Sequence, residues 1–392
     1  MAAYPSSFRP KGALRMLRRL LVFLLVLCFL PLAAPAEEQT GPTLDEQVAA
    51  KFRRYKTISG EVVAARDGKI VYQYCYGYFN KKDGIEVTPD NYYRIASVSK
   101  LVTATAVMKL VEQGLLDLDE NIGTILGVNE PFFAANRRYP TVGLTSRMLM
   151  THTSGIWKMS DRLPMREYIN VETRKNNTYF YEEKPGTAYH YSNYGAGILG
   201  CIIEAITGKR LNDAVSELIF DPMNLDAGYD PKFLADPSKI TSQVIRQYND
   251  EIDLDRDFYH SYGNCWMRCT DLCNIGIMLC DYGMYQGKQI LEKETVEEMI
   301  SSQKGKGGIT VDVDGLNMQR LKVPTLFPDR LLYGHQGMID NVLCNLYFDP
   351  ETRFVFAMVS NCPSPKENQD RIYGIRSMAY QLLKLMVGEY LR

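Results

Sequence analysis

Ser97 and Lys100 are the residues whose types and spacing most directly suggest chemistry. They begin the stretch SVSKLVTATAVMKLVEQG, whose periodicity predicts a helix over about residues 98–114. Residues three and four apart stack on one side of a helix, so Lys100 shares an apolar stripe with Leu101 and Ala104. A buried ammonium loses its proton or finds partners, and a dehydrated lysine beside a hydroxyl can activate a nucleophile. The alternative is a lysine that extends to the surface at the helix start.

A nucleophilic serine needs a proton carrier, and Tyr191 is the candidate. It lies in PGTAYHYSNYGAG (185–197), after a Pro-Gly turn and at the predicted start of a helix that ends at Gly208. Side chains at a helix start can project into a cleft, which makes Tyr191 and Asn193 candidate site residues. The alternative is a tyrosine followed by an ordinary asparagine helix cap.

The segment LLYGHQGMID (331–340) supplies a third cluster, His335-Gln336-Gly337, just before a strand-like run. A glycine at this point lets a ligand backbone approach closely, and a histidine can change its charge near neutral pH. The alternative is a turn with an incidental histidine. The four histidines form no metal-binding pattern, so we expect no metal and no cofactor. The sequence also lacks the Gly-x-Ser-x-Gly motif of α/β-hydrolases.

The composition is that of a soluble globular protein. The chain has 392 residues, of which 46% are apolar and 23% are charged, with a net charge of −1. No long basic run follows the N-terminus, which argues against a nucleic-acid partner.

The N-terminal segment has the form of a secretory signal peptide. Arg15, Arg18 and Arg19 precede the apolar run LLVFLLVLCFLPLAA, and the small-x-small pattern Ala34-Pro35-Ala36 follows. The run is short for a membrane span. We therefore expect residues 1–36 to lie outside the fold and the protein to be secreted or extracytoplasmic, in the periplasm or at the cell surface. Membrane association is expected only if this segment stays uncleaved as an anchor.

Four cysteines cluster late in the chain: Cys265, Cys269, Cys273 and Cys280. Their spacing fits one face of a helix better than the paired cysteines of a zinc site, which favours small buried thiols. Export permits disulfides, so a disulfide or a metal site stays open as an alternative.

Strand patterns at both ends of the chain predict an α+β fold. ISGEVVAARDGKIVYQYCYGYF indicates a hairpin turning at Asp67-Gly68, and NVLCNLYFDPETRFVFAMVSN indicates a second, before a closing helix. We expect one antiparallel sheet built from both chain ends and flanked by helices. Residues 45–125 and 265–392 would form this α/β region and 126–264 a mostly helical region, with the active site in the cleft between them.

Together and in this order, the clusters resemble the serine β-lactamase and penicillin-binding-protein superfamily, with its Ser-x-x-Lys motif. The resemblance is strongest to class C β-lactamases and D-alanyl-D-alanine carboxypeptidases. It covers about residues 45–390 and rests on several segments in the family's order: YYRIASVSKLVTATAVMKLVEQGLLDLDENI, LTSRMLMTHTSGI, PGTAYHYSNYGAGILGCIIEAITGK and SYGNCWMRCTDL.

The resemblance implies a role for each candidate residue. Ser97 would be acylated, Lys100 would help to take its proton, and Tyr191 would carry protons to the leaving group. Asn193 would hold Lys100 and a substrate amide, and His335 would donate toward a substrate carboxylate. Gly337 and Met338 belong to the third motif. The backbone N–H groups of Ser97 and Met338 would form the oxyanion hole.

The third motif departs from the Lys-Thr-Gly usual in class C β-lactamases, since this chain has His335-Gln336-Gly337. Efficient β-lactam hydrolysis is therefore in doubt, because histidine is only partly cationic at neutral pH. Our leading hypothesis is an exported D-alanyl-D-alanine carboxypeptidase-like serine hydrolase. Its substrate would be a peptide or small molecule, such as a peptidoglycan stem peptide. The alternatives are a β-lactamase or esterase of the same superfamily and, in a different class, a non-hydrolytic membrane-anchored receptor for cell-wall fragments or β-lactams.

Overall fold

A seven-stranded antiparallel sheet lies at the centre of the structure, in the strand order β3-β2-β1-β12-β11-β10-β9. The structure is a computed structural model. It describes residues 41–127, 138–157, 180–241, 260–311, 314–339, 342–361 and 370–391. The predicted signal peptide lies outside the described residues.

The strands of the large sheet have these bounds: β1 Ser59–Arg66, β2 Lys69–Asn80, β3 Ile85–Glu86, β9 Gln319–Lys322, β10 Leu331–Ile339, β11 Val342–Asp349 and β12 Phe354–Asn361. The remaining strands form small sheets: β4 Tyr92–Arg94, β5 Ala227–Gly228, β6 Trp266–Arg268, β7 Met284–Tyr285, β8 Lys288–Gln289, β13 Arg371–Ile372 and β14 Ile375–Arg376.

The described helices are α1 Leu44–Arg54, α2 Ser99–Glu112, α3 Ile122–Ile125, α4 Ser146–Met150, α5 Asn193–Thr207, α6 Leu211–Val215, α7 Asp221–Met223, α8 His260–Gly263, α9 Cys269–Cys280, α10 Lys293–Ile300 and α11 Ser377–Tyr390. A π-helical turn spans Ser216–Phe220, and 3₁₀ turns span Ala96–Val98, Pro231–Phe233 and Pro237–Lys239.

The two ends of the chain meet in the sheet, because β1 pairs with β12 in a register that sets Ser59 opposite Asn361. The hairpin of β1 and β2 turns at Asp67 and Gly68, whose φ angles are 51° and 76°, as a tight two-residue hairpin turn requires. The prediction of an α+β fold with an antiparallel sheet flanked by helices is confirmed.

Each face of the sheet buries its own apolar core. Successive strand residues point to opposite faces, so Val62 packs on one side and Val63 on the other. The Val62 face is covered by α1 and α11, and the Val63 face by α9, α2 and α5. Helix α9 approaches so closely that a Cβ atom on Gly276 would lie 2.5 Å from Val355 Cγ1. The result is a three-layered arrangement with the sheet in the middle.

The described residues from Leu44 onward form one compact unit. The division into an α/β region and a mostly helical region at 126–264 stays a prediction. In the described part of the chain, no helix is long and apolar enough to cross a membrane.

The clustered cysteines are buried free thiols. Helix α9 carries Cys269, Cys273 and Cys280, but Cys265 lies before it because Trp266–Arg268 pairs as strand β6. The four residues therefore do not share one helix face. They are nevertheless buried, as the apolar character of thiols favours.

One carboxyl group lies inside the core on β1. Glu61 is fully buried, and burial raises its pKa to about 8, against a hydrogen bond from Gln73 Nε2 at 2.8 Å that lowers it. The nearby Asp271 raises the pKa further and Arg268 lowers it. Glu61 is therefore protonated in the folded protein at pH values where an exposed glutamate is ionised.

Candidate active site

Ser97 lies in the sharp 3₁₀ turn that joins β4 to α2. Ala96 adopts a φ of 48°, which is uncommon for a residue with a side chain and turns the chain abruptly before the serine. Ser99 secures the turn, because its Oγ donates to Ala96 O at 2.6 Å and accepts from the N–H of Cys265 at 3.1 Å. The half-buried Ser97 side chain is thus presented by a fixed backbone.

Lys100 lies beside Ser97 and is fully buried, so it does not extend to the surface. Its Nζ lies 3.1 Å from Ser97 Oγ and donates to the carbonyl of Tyr262 at 2.9 Å. The rings of Tyr191 and Tyr262 both have their centroids 5.0 Å from Nζ. Burial holds the pKa of Lys100 well below its ordinary 10.5. A neutral amine next to a hydroxyl can accept its proton, which is what nucleophile activation requires.

Tyr191 brings a second proton carrier to Ser97. Tyr191 is 44% exposed, but its ring lies over Lys100 Nζ and its hydroxyl interacts with Ser97. Burial raises the pKa of Tyr191 to about 12, while the interaction with Ser97 lowers it. The phenol is therefore protonated at neutral pH, so it can relay a proton while Lys100 acts as the base.

The residue after Tyr191 caps helix α5. Ser192 Oγ accepts from the N–H of Gly195 at 2.9 Å, so the cap is Ser192 and not Asn193. Asn193 is the first helical residue and is exposed. Within the described residues, the hydrogen bonds of Lys100 run to Ser97 and Tyr262, so the structure does not place Asn193 on Lys100. The expected contact between Asn193 and a substrate amide stays a prediction.

His152 is a further site residue that our sequence analysis did not single out. Its Nδ1 accepts from the backbone N–H of Ser192 at 3.2 Å, and its ring centroid lies 4.4 Å from that of Tyr191. Burial, Lys100 and His335 hold the pKa of His152 well below 6.5. The neutral imidazole therefore works as a positioning residue for Tyr191. The only sequence signal was its place in LTSRMLMTHTSGI, a segment that carries the resemblance.

His335 lies on β10, buried at the edge of the same cleft. Its Nδ1 is 2.7 Å from the carbonyl of Gln336, and burial together with the nearby Lys100 lowers its pKa to about 3. A neutral histidine whose Nδ1–H donates to a carbonyl presents only an acceptor at Nε2. In this state His335 offers no donor to a substrate carboxylate, and the donor role that the resemblance implies stays a prediction.

Gln336 points away from the cleft, since neighbouring strand residues face opposite sides of a sheet. Its Nε2 donates to the carbonyl of Gly374 at 2.9 Å. The side chain therefore ties β10 to the turn before α11.

Gly337 lets β10 lie directly against the nucleophile turn. A Cβ atom at this position would lie 2.8 Å from both Ile95 O and Ser97 N. Strand β9 pairs with β10 only as far as Gly334, so in the described residues the segment from His335 to Ile339 has a strand partner on one edge alone. At Gly337 this segment lies directly against the nucleophile turn. The oxyanion hole expected from the N–H groups of Ser97 and Met338 stays a prediction.

A small pocket opens beside the Ser97–Lys100–Tyr191 group, and both histidines line it. The other lining residues are Met150, Thr151, Tyr189, Tyr191, Asp314, Gly315, Asn317, Met318 and Gln319. Among the residues that the structure describes, no group of three or more His, Cys, Asp or Glu is arranged to hold a metal ion.

Comparison with known proteins identifies a family. Residues 44–380 match the model of the Beta-lactamase family. Esterase EstB of Burkholderia gladioli is 29% identical over 202 residues, which cover 47% of this chain and 50% of that protein. Penicillin-binding protein 4* of Bacillus subtilis is 25% identical over 231 residues, which cover 56% of this chain and 44% of that protein. The chain thus spans half or less of the length of these curated relatives.

Solved structures share the fold at low identity. The octameric penicillin-binding protein homologue from Pyrococcus abyssi has a TM-score of 0.65 at 21% identity, covering 88% of this chain and 77% of that chain. The D-amino acid amidase from Ochrobactrum anthropi has a TM-score of 0.64 at 19% identity, covering 88% of this chain and 99% of that chain.

Proposed function

The chain belongs to the β-lactamase family, and we propose from this premise that it is a serine hydrolase acting on esters or amides with an uncharged leaving group. The observation that carries the proposal is the buried Lys100 amine, 3.1 Å from Ser97 Oγ and with a lowered pKa. A non-hydrolytic receptor has no need of a dehydrated base beside a hydroxyl.

The residues suggest a two-step mechanism. Ser97 Oγ attacks the substrate carbonyl while its proton passes to the neutral Nζ of Lys100, and the N–H groups of Ser97 and Met338 stabilise the oxyanion. The leaving group takes a proton from the Tyr191 hydroxyl, which Lys100 reprotonates. Water then attacks the acyl-enzyme by the reverse proton path, and Ser97 is released.

The preference for an uncharged leaving group rests on the charges around the pocket. His335 is neutral, with its pKa at about 3, and offers an acceptor to the cleft. Asp314 lines the same pocket, where burial and then Asp314 raise the pKa of the neighbouring Tyr189, while Arg371 lowers it. A terminal carboxylate would meet the acceptor atoms of His335 and Asp314 there, which costs binding energy. An esterase and a D-amino acid amidase occur among the similar proteins, which supports the same choice.

A D-alanyl-D-alanine carboxypeptidase is the second candidate, favoured by the penicillin-binding proteins among the similar chains. A matched pair of depsipeptides separates the two functions. Both have the same acyl-D-alanyl group; one releases D-lactate, with its free carboxylate, and the other releases D-lactamide. We expect faster Ser97-dependent hydrolysis of the lactamide ester at pH 7.5. Faster hydrolysis of the lactate ester would instead support the carboxypeptidase.

Ser97→Ala is the control for every substrate, and nitrocefin tests for β-lactamase activity in the same experiment. Stoichiometric binding without turnover of any ester, amide or β-lactam would support the receptor hypothesis and refute the hydrolase.

We also propose that residues 1–36 direct export. The supporting pattern is the basic, apolar and small-residue order of the N-terminal segment. Expression of the full chain with an epitope tag at the C-terminus tests this, since cleavage near Ala36 would give a mature N-terminus at Glu37. A full-length product in the cytoplasmic fraction would contradict export.

A further inference from the structure

Asn317 is a buried residue that lines the pocket beside Tyr191, and its side-chain amide is unpaired among the residues that the structure describes. It is 3% exposed and lines the pocket together with Tyr191 and His335. Within the described part of the chain, neither Nδ2 nor Oδ1 of its side chain has a hydrogen-bond partner. Because a buried amide left unpaired destabilises a fold, an unpaired amide in the wall of a pocket is suited to bind a ligand.

The backbone around Asn317 holds this side chain in place. Its N–H donates to Met150 O at 2.8 Å, and the N–H of Leu316 donates to Met299 O at 2.9 Å. Asn317 itself adopts a φ of 49°, a conformation that asparagine tolerates better than most residues. The amide is therefore fixed between helix α4, which leads to His152, and the end of helix α10.

The position of Asn317 relative to Tyr191 tells which part of the substrate it meets. Under the mechanism above, Tyr191 hands its proton to the leaving group, so the leaving group enters the pocket that Tyr191 lines. An asparagine side chain offers a donor and an acceptor side by side, which is the complement of another amide. A carboxylate has acceptors only and would leave Oδ1 unpaired.

We propose that Asn317 determines specificity by pairing with a carboxamide, or peptide amide, in the leaving group of the substrate. The inference rests on the proposed hydrolase function and deepens it, since it names the chemical group that the pocket recognises.

The test compares two neutral esters of the same acyl-D-alanine, one releasing D-lactamide and the other methyl D-lactate. The methyl ester has acceptors but no N–H donor. We expect the wild-type enzyme to show a kcat/KM about tenfold or more higher for the lactamide ester. Asn317→Gly keeps the backbone conformation accessible and removes the amide, so the ratio of the two values should fall to near one. Asn317→Asp should keep the preference, because its carboxylate still accepts from the N–H of the lactamide, which the methyl ester lacks.

Asn345 provides the matched control. It is likewise a fully buried asparagine with both side-chain atoms unpaired, but it lies on β11 and does not line the pocket. Asn345→Ala should leave the ratio at the wild-type value, even if it lowers stability. The ratio of the two kcat/KM values separates a loss of recognition from a general loss of folded enzyme, because unfolding lowers both kcat/KM values equally.

Two results would overturn the inference: a wild-type enzyme without preference for the lactamide ester, or a preference that survives in Asn317→Gly. Ser97-dependent hydrolysis of p-nitrophenyl acetate reports on the proposed function independently. If that activity is also absent, the hydrolase proposal fails and the inference falls with it; if it is present, only the role of Asn317 is refuted.

Discussion

Replacing Gly337 with alanine tests whether catalysis needs the close approach of β10 to the nucleophile turn. The new Cβ atom would lie 2.8 Å from Ile95 O, 2.8 Å from Ser97 N and 2.9 Å from Ala96 Cβ. Two of these atoms belong to the backbone, so no flexible side chain can move aside. Since ordinary Cβ contacts begin at 3.4 Å, the strand and the turn must separate by about 0.6 Å, as overpacked sites do.

This separation would open the proposed oxyanion hole, because its two N–H groups come from the two segments that are pushed apart. Loss of one such donor typically lowers kcat by about 10²–10³. Overpacking typically costs about 1–3 kcal/mol of stability. We therefore expect Gly337→Ala to lower kcat by at least about 10² at a stability that still leaves the protein folded.

The assay measures kcat on p-nitrophenyl acetate, with urea unfolding of the same preparation. Gly388→Ala is the control, because no atom lies within 4 Å of its added Cβ. A folded Gly337→Ala enzyme whose kcat stays within about threefold of wild type, well below the loss expected for one donor, would refute the argument. If the variant unfolds, fluorophosphonate labelling of the fraction that remains folded gives the same comparison.

Three further predictions follow from buried polar groups. Lys100→Met should abolish turnover yet raise stability at pH 7. The folded pKa of Lys100 is lowered, so the unfolded chain binds more protons and the stability gain should shrink as urea unfolding is repeated toward pH 10. His152→Ala removes the acceptor for the Ser192 N–H and should lower kcat about 10–100-fold, because Tyr191 is then misplaced. His152→Asn should restore part of the lost kcat. Equal kcat in wild type and both variants would contradict this role. Glu61→Gln should be as stable as wild type below pH 4.5 and more stable by up to about 5 kcal/mol above pH 8. The reason is that wild type loses stability as pH rises from 4.5 to about 8. Parallel curves of stability against pH for the two proteins would disprove the raised pKa.

Periodicity placed Lys100 on the apolar side of its helix but left open whether the side chain is buried or extends to the surface; the structure shows that it is buried. The apolar stripe of the predicted helix runs through residues three and four apart, and tertiary packing follows that stripe. Turn residues predicted both hairpins, because Asp-Gly and Asp-Pro between β-rich runs specify tight turns. These features are local, and local patterns are what a sequence shows directly.

The contacts of His152 could not be predicted in this way. It accepts a hydrogen bond from Ser192, 40 residues later in the chain. No periodic pattern links the two residues, because the contact depends on how α4 packs against the start of α5. Asn317 could not be predicted as a site residue for the same reason. It lies in a turn between α10 and β9, and only the tertiary structure places it in the pocket wall.

Where two neighbouring residues have similar chemistry, the sequence does not show which of them takes a given role. Ser192 and Asn193 are both good helix caps, and a one-residue shift decides which of them turns its side chain toward the helix N–H groups. The neutrality of His335 depends on its burial next to Lys100, which no count of residues can supply. Charge states in the cleft follow from tertiary neighbours, so the sequence alone could not give the protonation state of His335.

The pairing of β1 with β12 has a consequence for the chain as it is synthesised. Hydrogen-bonded partners on these strands, Ser59 and Asn361, are separated by 302 positions. A ribosome must therefore synthesise the chain as far as β12 before the open edge of the first hairpin can be covered. Fragments that stop before Phe354 would expose that edge with its valines, and we expect them to aggregate rather than to form an independent folded half.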